Sequence, residues 1–204
     1  MRRIPLSRRS HIIGFRPLPT GFAEHESALE RDFVTKVSWE NPDVEIISQP
    51  VTIRFRDGAV HRRYTPDFML RCSRKLPELI EVKYQDDLRL NHARLEPAFA
   101  AAKAWSQEQG ATFRVVTEAE IRGPALKNAQ RLLPLRNAPI DPHLAACAIS
   151  AAHSLTAPTV GAVLTQQPSD RPAALATLWR LIAQGALRVD LAAPITVDTL
   201  VFAA

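Results

Sequence analysis

Two short apolar segments of this chain each carry an acid where a β-strand would bury it. They are Tyr64-Thr65-Pro66-Asp67-Phe68 and Leu79-Ile80-Glu81-Val82-Lys83. Because side chains alternate across a strand, Glu81 and Lys83 are expected on one face, with the apolar residues between them on the other. The apolar neighbours place each strand inside a sheet. Since a buried carboxylate is costly unless it is paired or coordinates a metal, these acids constrain both fold and chemistry.

Carboxylates on two adjacent strands, with a lysine beside one of them, suit metal-assisted hydrolysis of a phosphodiester. The acids can hold a hard cation through oxygen ligands. Such a cation lowers the pKa of a bound water and neutralises charge on the phosphorus centre. The lysine can orient that water or counter the developing negative charge. We therefore expect Asp67, Glu81 and Lys83 to form a catalytic group.

The pattern around these segments predicts an α/β domain with a mixed sheet. Leu29, Phe33 and Val37 repeat at the helical period, and Asp57-Gly58 is a hairpin signal. The sequence predicts helices at 24–39 and 88–109, strands at 44–47, 51–55, 64–70, 79–83 and 113–116, and two further short helices. Gly110 is the expected C-cap of the long helix, and Thr117 with Glu120 forms a capping box.

The composition changes near residue 138, where lysine and glutamate disappear and alanine dominates. Beyond this point we predict helices at 141–153, 158–166 and 170–184, followed by strands at 187–191 and 196–202. Three helices and a hairpin match a winged-helix module in order and size. The predicted organisation is a basic arm at 1–20, a first domain at 21–138 and a small winged-helix-like domain at 139–204.

The formal charge of +5 is unevenly distributed along the chain. From residue 140 onward three arginines face four aspartates, so that segment is −1 and residues 1–139 are +6. The first sixteen residues contain no acid and five arginines: Arg2, Arg3, Arg8, Arg9 and Arg16. We expect this arm to bind DNA phosphates, with a merely solubilising tail as the alternative. Arg171 and Arg180 are the only cations of the helix at 170–184, which favours contact with protein or weak contact with DNA.

Other classes of protein find little support in the sequence. No apolar run is long enough to span a bilayer, and the N-terminus lacks the apolar stretch of a secretory signal, so we expect a cytoplasmic protein. Cys72 and Cys147 have no metal spacing, and the six histidines show no zinc pattern. A phosphate-binding glycine loop is absent from the sequence as well.

The acid-bearing segments resemble the PD-(D/E)XK nuclease superfamily through Pro66-Asp67 and Glu81-Val82-Lys83. Further motifs in the same order resemble TnsA, the endonuclease subunit of a heteromeric transposase. They are Ser27-Ala28-Leu29-Glu30-Arg31-Asp32-Phe33, Asn41-Pro42-Asp43-Val44, Gln49-Pro50 and Val116-Thr117-Glu118-Ala119-Glu120-Ile121. The resemblance covers roughly residues 10–135.

The resemblance implies a restriction-endonuclease-like mixed sheet flanked by helices. It implies Glu30, Asp67, Glu81 and Lys83 as catalytic residues, and Glu30, Asp67, Glu81 and Val82 at a site for Mg²⁺, for which Mn²⁺ can substitute. It also implies cleavage of DNA at transposon ends, beside a TnsB-like second transposase subunit and a TnsC-like ATP-dependent regulator, with no membrane involved.

The helical pattern favours the same acid on the first helix. Glu30 follows Leu29 and so lies at the border of the expected buried face. Glu24 and Glu26 lie in the expected first turn, where acids commonly do no more than complement the helix dipole. Two alternatives stay open: a DNA-binding regulator without catalysis, and a restriction or repair nuclease of the same superfamily.

Overall fold

The computed structural model describes residues 14–18, 21–73 and 75–204. The expected DNA-binding residues Arg2, Arg3, Arg8 and Arg9 lie outside the described residues, and of Arg16 only the backbone is described. The chain divides into two compact units, Met1–Arg122 and Gly123–Ala204. This division falls before the composition change, whereas the sequence placed the domain boundary at 138.

The chain up to the first helix differs from the expectation. Strand β1 (Gly14–Leu18) pairs antiparallel with β2 (Gly21–His25), and helix α1 (Ala28–Glu40) begins only after Ser27. The prediction of a helix from residue 24 was therefore wrong at its start. Pairing with β1 commits residues 21–25 to a strand, and the Ser27 side chain caps the helix by accepting the Glu30 N–H at 3.1 Å.

The next strands form a hairpin and the first half of the central sheet. Strand β3 (Glu45–Ser48) is followed by β4 (Ile53–Asp57) and β5 (Val60–Tyr64), which pair with each other around Gly58 as the sequence predicted. The strand expected at 64–70 was wrong at its start: it shares only Tyr64 with β5, which was not predicted, and its remainder corresponds to β6 (Phe68–Arg71). Proline at position 66 has no N–H to continue a ladder, so the chain leaves one sheet and enters the next there.

Strand β7 (Glu78–Val82) leads into two helices rather than one. Helix α2 (Gln85–Leu90) ends at Asn91, and α3 (His92–Glu108) starts again after it. The Asn91 side chain donates to the Asp87 carbonyl at 3.1 Å, a local bond that competes with a continuous helix. Gly110 ends α3 with a positive φ of 64°, as predicted. Strand β8 (Thr112–Val116) and α4 (Glu118–Ile121), with its predicted capping box, complete the unit.

The central sheet has the order β3-β6-β7-β8. Strand β7 pairs antiparallel with β6 and parallel with β8, so the expected mixed sheet is confirmed and the two acid-bearing segments are neighbours. On one face Met69 and Leu79 pack with Ala102 of α3. On the other face Phe68 stacks on Phe33 of α1 at 5.5 Å between ring centroids. Helices therefore cover both faces, as expected.

The second unit contains α5 (Pro124–Leu132), a 3-10 turn, α6 (Pro142–Ser154), α7 (Val160–Thr165) and α8 (Arg171–Ala183). Strands β9 (Leu187–Arg188) and β10 (Phe202–Ala203) pair antiparallel. The three later helices match the predicted ones, but both strands are much shorter than predicted. Pro194 cannot donate to a ladder, and Asn128 instead binds the carbonyls of Leu191 and Ala193 at 3.0 and 2.8 Å.

No helix among the described residues combines the length and the apolar character needed to cross a membrane.

Candidate active site

Glu81 and Lys83 lie on one face at the end of β7, as the alternation of a strand predicts. Lys83 Nζ is 2.9 Å from Glu81 Oε1. Glu81 is only 3% exposed, and Leu79 of the same face is fully buried. The apolar strand therefore carries a carboxylate into the interior, and the ammonium group beside it supplies the charge partner that such burial requires.

Tyr64 holds the second oxygen of the same carboxylate. Its hydroxyl donates to Glu81 Oε2 at 2.7 Å, and its ring packs edge-on against Phe99 of α3. Burial raises the pKa of Tyr64, and the charges of Glu81 and Asp67 raise it further, so the hydroxyl stays protonated and acts as a donor. Tyr64 lies within one of the acid-bearing segments, but no sequence pattern assigned it a role. Its position three residues before Asp67 is the sequence feature from which a role at the site could have been predicted.

Asp67 follows the break between β5 and β6 and reaches across to β7. Its Oδ2 accepts the Val82 N–H at 2.7 Å, while its backbone carbonyl accepts the Gln49 N–H at 2.8 Å. Burial raises the pKa of Asp67 well above its usual value, and the negative charges of Glu81 and Glu30 raise it further. The three acids therefore interact electrostatically, although they come from two strands and a helix.

Lys83 is held in its charged form by this negative field. Burial alone lowers the pKa of Lys83, but the charges of Glu81, Asp67 and Glu30 more than offset burial and raise it above its usual value. The site thus combines three carboxyl groups with one ammonium, and the ammonium remains protonated at neutral pH.

Glu30 is engaged at the start of its own helix. Its Oε2 accepts the Glu26 N–H at 2.7 Å, and its Oε1 accepts the Ser27 hydroxyl at 2.8 Å. Together with the bond from the Glu30 N–H to Ser27, this resembles a capping box, except that the Glu30 carboxylate accepts the N–H of Glu26 instead of that of the N-cap residue Ser27. The Ser-x-x-Glu spacing is visible in the sequence and could have predicted it.

Gln49 connects the helix start with the sheet. Its side-chain amide donates to Glu26 Oε1 at 2.6 Å, and its own N–H binds the Asp67 carbonyl. It does so with a positive φ of 47°, a conformation that residues with a side chain rarely adopt. Such an outlier in contact with the candidate site indicates that the surrounding bonds hold it in place. Glu26, expected to be a simple dipole acid, is therefore a bonding partner of Gln49.

Beyond Lys83, a further cluster fixes the end of β7. Arg122 Nε lies 3.3 Å from Oδ2 of the buried Asp32, and its Nη2 donates to the Tyr84 hydroxyl at 3.1 Å. Lys83 itself donates its backbone N–H to the Val116 carbonyl at 3.0 Å. These bonds hold the backbone of Lys83 and the side chain of the following residue, Tyr84.

A divalent cation is the cofactor that the resemblance implies for these acids. Among residues 14–18, 21–73 and 75–204, no three or more His, Cys, Asp or Glu side chains are grouped so as to hold a metal ion. The capping bonds of Glu30 turn its carboxylate toward Ser27. The donor chemistry nevertheless fits a hard cation: Asp67 and Glu81 offer oxygen ligands. The pKa of Asp67 is raised first by burial and then by the negative charges of Glu81 and Glu30, which a cation would neutralise.

One family of known proteins is similar to the segment that carries Asp67 and Glu81. Residues 41–118 match the family model described as TnsA-like endonuclease N terminal. No curated protein matches the chain significantly. The matched segment contains Asp67, Glu81, Val82 and Lys83, whereas Glu30 lies before it. The similarity to TnsA that the sequence motifs predicted is confirmed over residues 41–118, which are similar to the N-terminal domain of TnsA-like endonucleases.

Proposed function

We propose that this protein is a Mg²⁺-dependent DNA endonuclease that hydrolyses phosphodiester bonds. The observation that carries the proposal is the contact of Glu81 with Lys83 beside Asp67, on neighbouring strands of a segment similar to TnsA-like endonucleases. A binding module without catalysis has no need of a half-buried carboxylate of raised pKa, Asp67, beside the buried acid Glu81.

Each residue of the group has a task in this proposal. Asp67 and Glu81 hold the cation, with Val82 as a further metal-site residue, and Tyr64 fixes the orientation of the Glu81 carboxylate. When bound, Mg²⁺ supplies Lewis-acid activation of water and neutralises charge on the phosphate. Lys83, kept protonated by its neighbours, orients the attacking water or offsets negative charge on the phosphate.

We propose Glu30 as the third acid of the site. Its electrostatic effect on Asp67 and Lys83 supports the assignment. The capping bonds to Ser27 and Glu26 oppose it, because the carboxylate must leave them to face the two strand acids. Glu30 thus exchanges one set of bonds for another when the cation binds.

We further propose that the substrate is DNA at transposon ends. The name of the matched family supports this role, with a TnsB-like second transposase subunit and a TnsC-like ATP-dependent regulator as partners. The charge of residues 1–139, including the arm at 1–20, favours a polyanionic substrate.

For the segment at 139–204 we propose a winged-helix-like domain that contacts a protein partner. The order of α6, α7, α8 and the β9–β10 pair supports this fold. The net charge of −1 opposes phosphate attraction. Replacing the exposed Arg171 and Arg188 by alanine in the full chain should therefore leave DNA affinity within about twofold, measured by fluorescence anisotropy at low salt. A loss of ten-fold or more, on the order of ten-fold per phosphate contact, contradicts this assignment.

A cleavage assay on transposon-end DNA tests the main proposal. Nicking should require Mg²⁺ or Mn²⁺, be absent with EDTA, and be lost in Lys83→Ala. The assay is run with and without the products of neighbouring genes, since partners can be needed for activity. DNA binding without nicking under all these conditions identifies a regulator instead. Cleavage of unrelated DNA as fast as of transposon ends favours a restriction or repair nuclease.

A further inference from the structure

One face of the β4–β5 hairpin carries basic side chains in cross-strand pairs. The register places Arg54 opposite Arg63, and Arg56 opposite His61. Thr52 and Thr65 continue the same face, with 2.9 Å between their hydroxyl oxygens. This surface, which we call the arginine face, contains no acid. The opposite face packs on α3 through Ile53 and Tyr64.

The arginines on the two faces of the hairpin differ in whether they are paired with an acid. On the packed face, Arg62 lies 2.7 Å from Asp57 in an ion pair. On the arginine face, Arg54, Arg56 and Arg63 are exposed, and the described residues include no ion pair or hydrogen bond for any of the three. Like charges directly opposite each other in a sheet are destabilising. An anionic partner from outside the chain removes this cost.

The shape of the arginine face fits a row of phosphates. A hollow of about 620 Å³ lies on it, lined by Thr52, Arg54, Arg63 and Thr65. Arginine presents a planar fork of donors that binds phosphate oxygens in pairs, and one hydroxyl of the hydrogen-bonded Thr52–Thr65 pair adds a further donor. Arg54 and Arg63 together can therefore clamp a phosphate from two strands of the hairpin.

The arginine face lies next to the candidate active site along the chain. Tyr64, which follows Arg63, donates to Glu81, and Thr65 is two residues before Asp67. The four residue steps from Arg63 to Asp67 span at most about 14 Å. That reach covers only a few nucleotides of one DNA strand.

We propose that the arginine face binds the DNA backbone beside the phosphate to be cut. The inference rests on the proposed nuclease function and adds the surface that positions its substrate. Arg54 and Arg63 are positioning residues that contact phosphates. Because phosphate contacts fix register and carry no base code, the hairpin places the scissile bond over Asp67 without selecting sequence.

The test measures DNA binding by the full chain in EDTA, so that cleavage does not interfere. A labelled duplex is titrated by anisotropy at several salt concentrations with the wild type and with Arg54→Ala/Arg63→Ala. The matched control is Arg71→Ala/Arg114→Ala, which removes the same charge from exposed, ion-paired arginines at the other end of the central sheet. Arg54→Lys/Arg63→Lys retains the charge without the fork.

The arginine-face variant should bind at least about ten-fold more weakly, and the slope of log affinity against log salt should fall by about two. The control should stay within about twofold of the wild type, and the lysine pair should recover part of the loss. Wild-type affinity and slope in Arg54→Ala/Arg63→Ala overturn the proposal, as does an equal loss in the control. If the Arg54→Ala/Arg63→Ala variant does not fold, Arg56→Ala is measured in its place. The slope of log affinity against log salt should then fall by about one.

The outcomes separate this proposal from the proposed function. If the wild type cleaves DNA and the arginine-face variant cleaves and binds equally well, the nuclease stands and the arginine face is refuted. If the wild type binds through the arginine face yet never cleaves, the surface stands and the nuclease is refuted. A wild type that binds no DNA at low salt overturns the arginine face.

Discussion

The acids of the candidate site are held in two different ways. Asp67 and Glu81 each bind a partner on another segment, the Val82 N–H and the Tyr64 hydroxyl, and Glu81 is also paired with the nearby Lys83 ammonium. Glu30 is fixed by partners within four residues of itself, on its own helix start. Backbone hydrogen bonds between paired strands fix the direction of a side chain, whereas a long side chain at the start of a helix can adopt several conformations. In the proposed site, Asp67 and Glu81 are therefore already in position, whereas Glu30 is the acid that we propose rearranges.

The strand acids should show the largest effect. Asp67→Asn keeps an acceptor for the Val82 N–H but removes the charge, and we expect cleavage to fall by roughly 10³-fold. Because the pKa of Asp67 is raised, its charged form destabilises the fold at neutral pH. The melting temperature in EDTA should therefore stay unchanged or rise. A clear loss of melting temperature in Asp67→Asn would contradict the metal-ligand role.

Lys83 shares a strand with Glu81 but should act differently from the acids. Lys83→Ala should slow cleavage by about 10²- to 10³-fold, since a charge near the phosphate is lost. Its Mg²⁺ affinity, measured by calorimetry, should not fall, because an ammonium cannot ligate a cation. Lys83→Arg should rescue poorly, since the larger guanidinium does not fit the geometry of an ammonium. Affinity that falls as far as in Asp67→Asn refutes this division of roles.

Glu30 gives the sharpest test of the comparison. Glu30→Gln keeps a capping oxygen, so the helix should remain stable, while cleavage should fall by roughly 100-fold through weaker metal binding. Glu30→Ala should in addition cost about 1 kcal/mol of stability, measured by denaturant unfolding. Glu26→Gln is the control, and its cleavage should be nearly normal. If Glu30→Gln cleaves normally while Glu30→Ala is merely less stable, Glu30 is only a cap and the third acid lies elsewhere.

The same contrast explains what the sequence could and could not predict. Alternation along β7 places Glu81 and Lys83 together without any knowledge of tertiary structure, and the structure shows that contact at 2.9 Å. The helical period predicted the buried face of α1, but its start was wrong because pairing of β2 with β1 is a long-range choice. Bonds between distant segments, such as Tyr64 to Glu81, have no spacing rule at all.

The arginine face is a second feature that the sequence patterns did not point to. The DNA contacts predicted from the sequence lie on the arginines of the arm, because a high density of charge is visible along the chain there. Arg54 and Arg63 are nine residues apart and become neighbours only through the hairpin register. The Asp57-Gly58 turn signal and strand alternation together contain that register, so the pairing could have been predicted from the hairpin.

Gln49 should show the smallest effect, and it tests how the two kinds of acid are linked. Its amide binds Glu26 beside Glu30, and its N–H binds the Asp67 carbonyl from a positive φ of 47°. Gln49→Ala loses the side-chain hydrogen bond and keeps the unfavourable φ, so the free energy of unfolding should fall by about 1 kcal/mol. Gln49→Gly loses the same bond but relieves a φ that costs a residue with a side chain roughly 1–2 kcal/mol, and should be at least as stable as Gln49→Ala. Denaturant unfolding of the two variants gives the difference, and cleavage rates report whether Asp67 has moved. Equal stability of both variants with normal cleavage shows that Gln49 is not strained and that the strand acids and the helix acid are positioned independently.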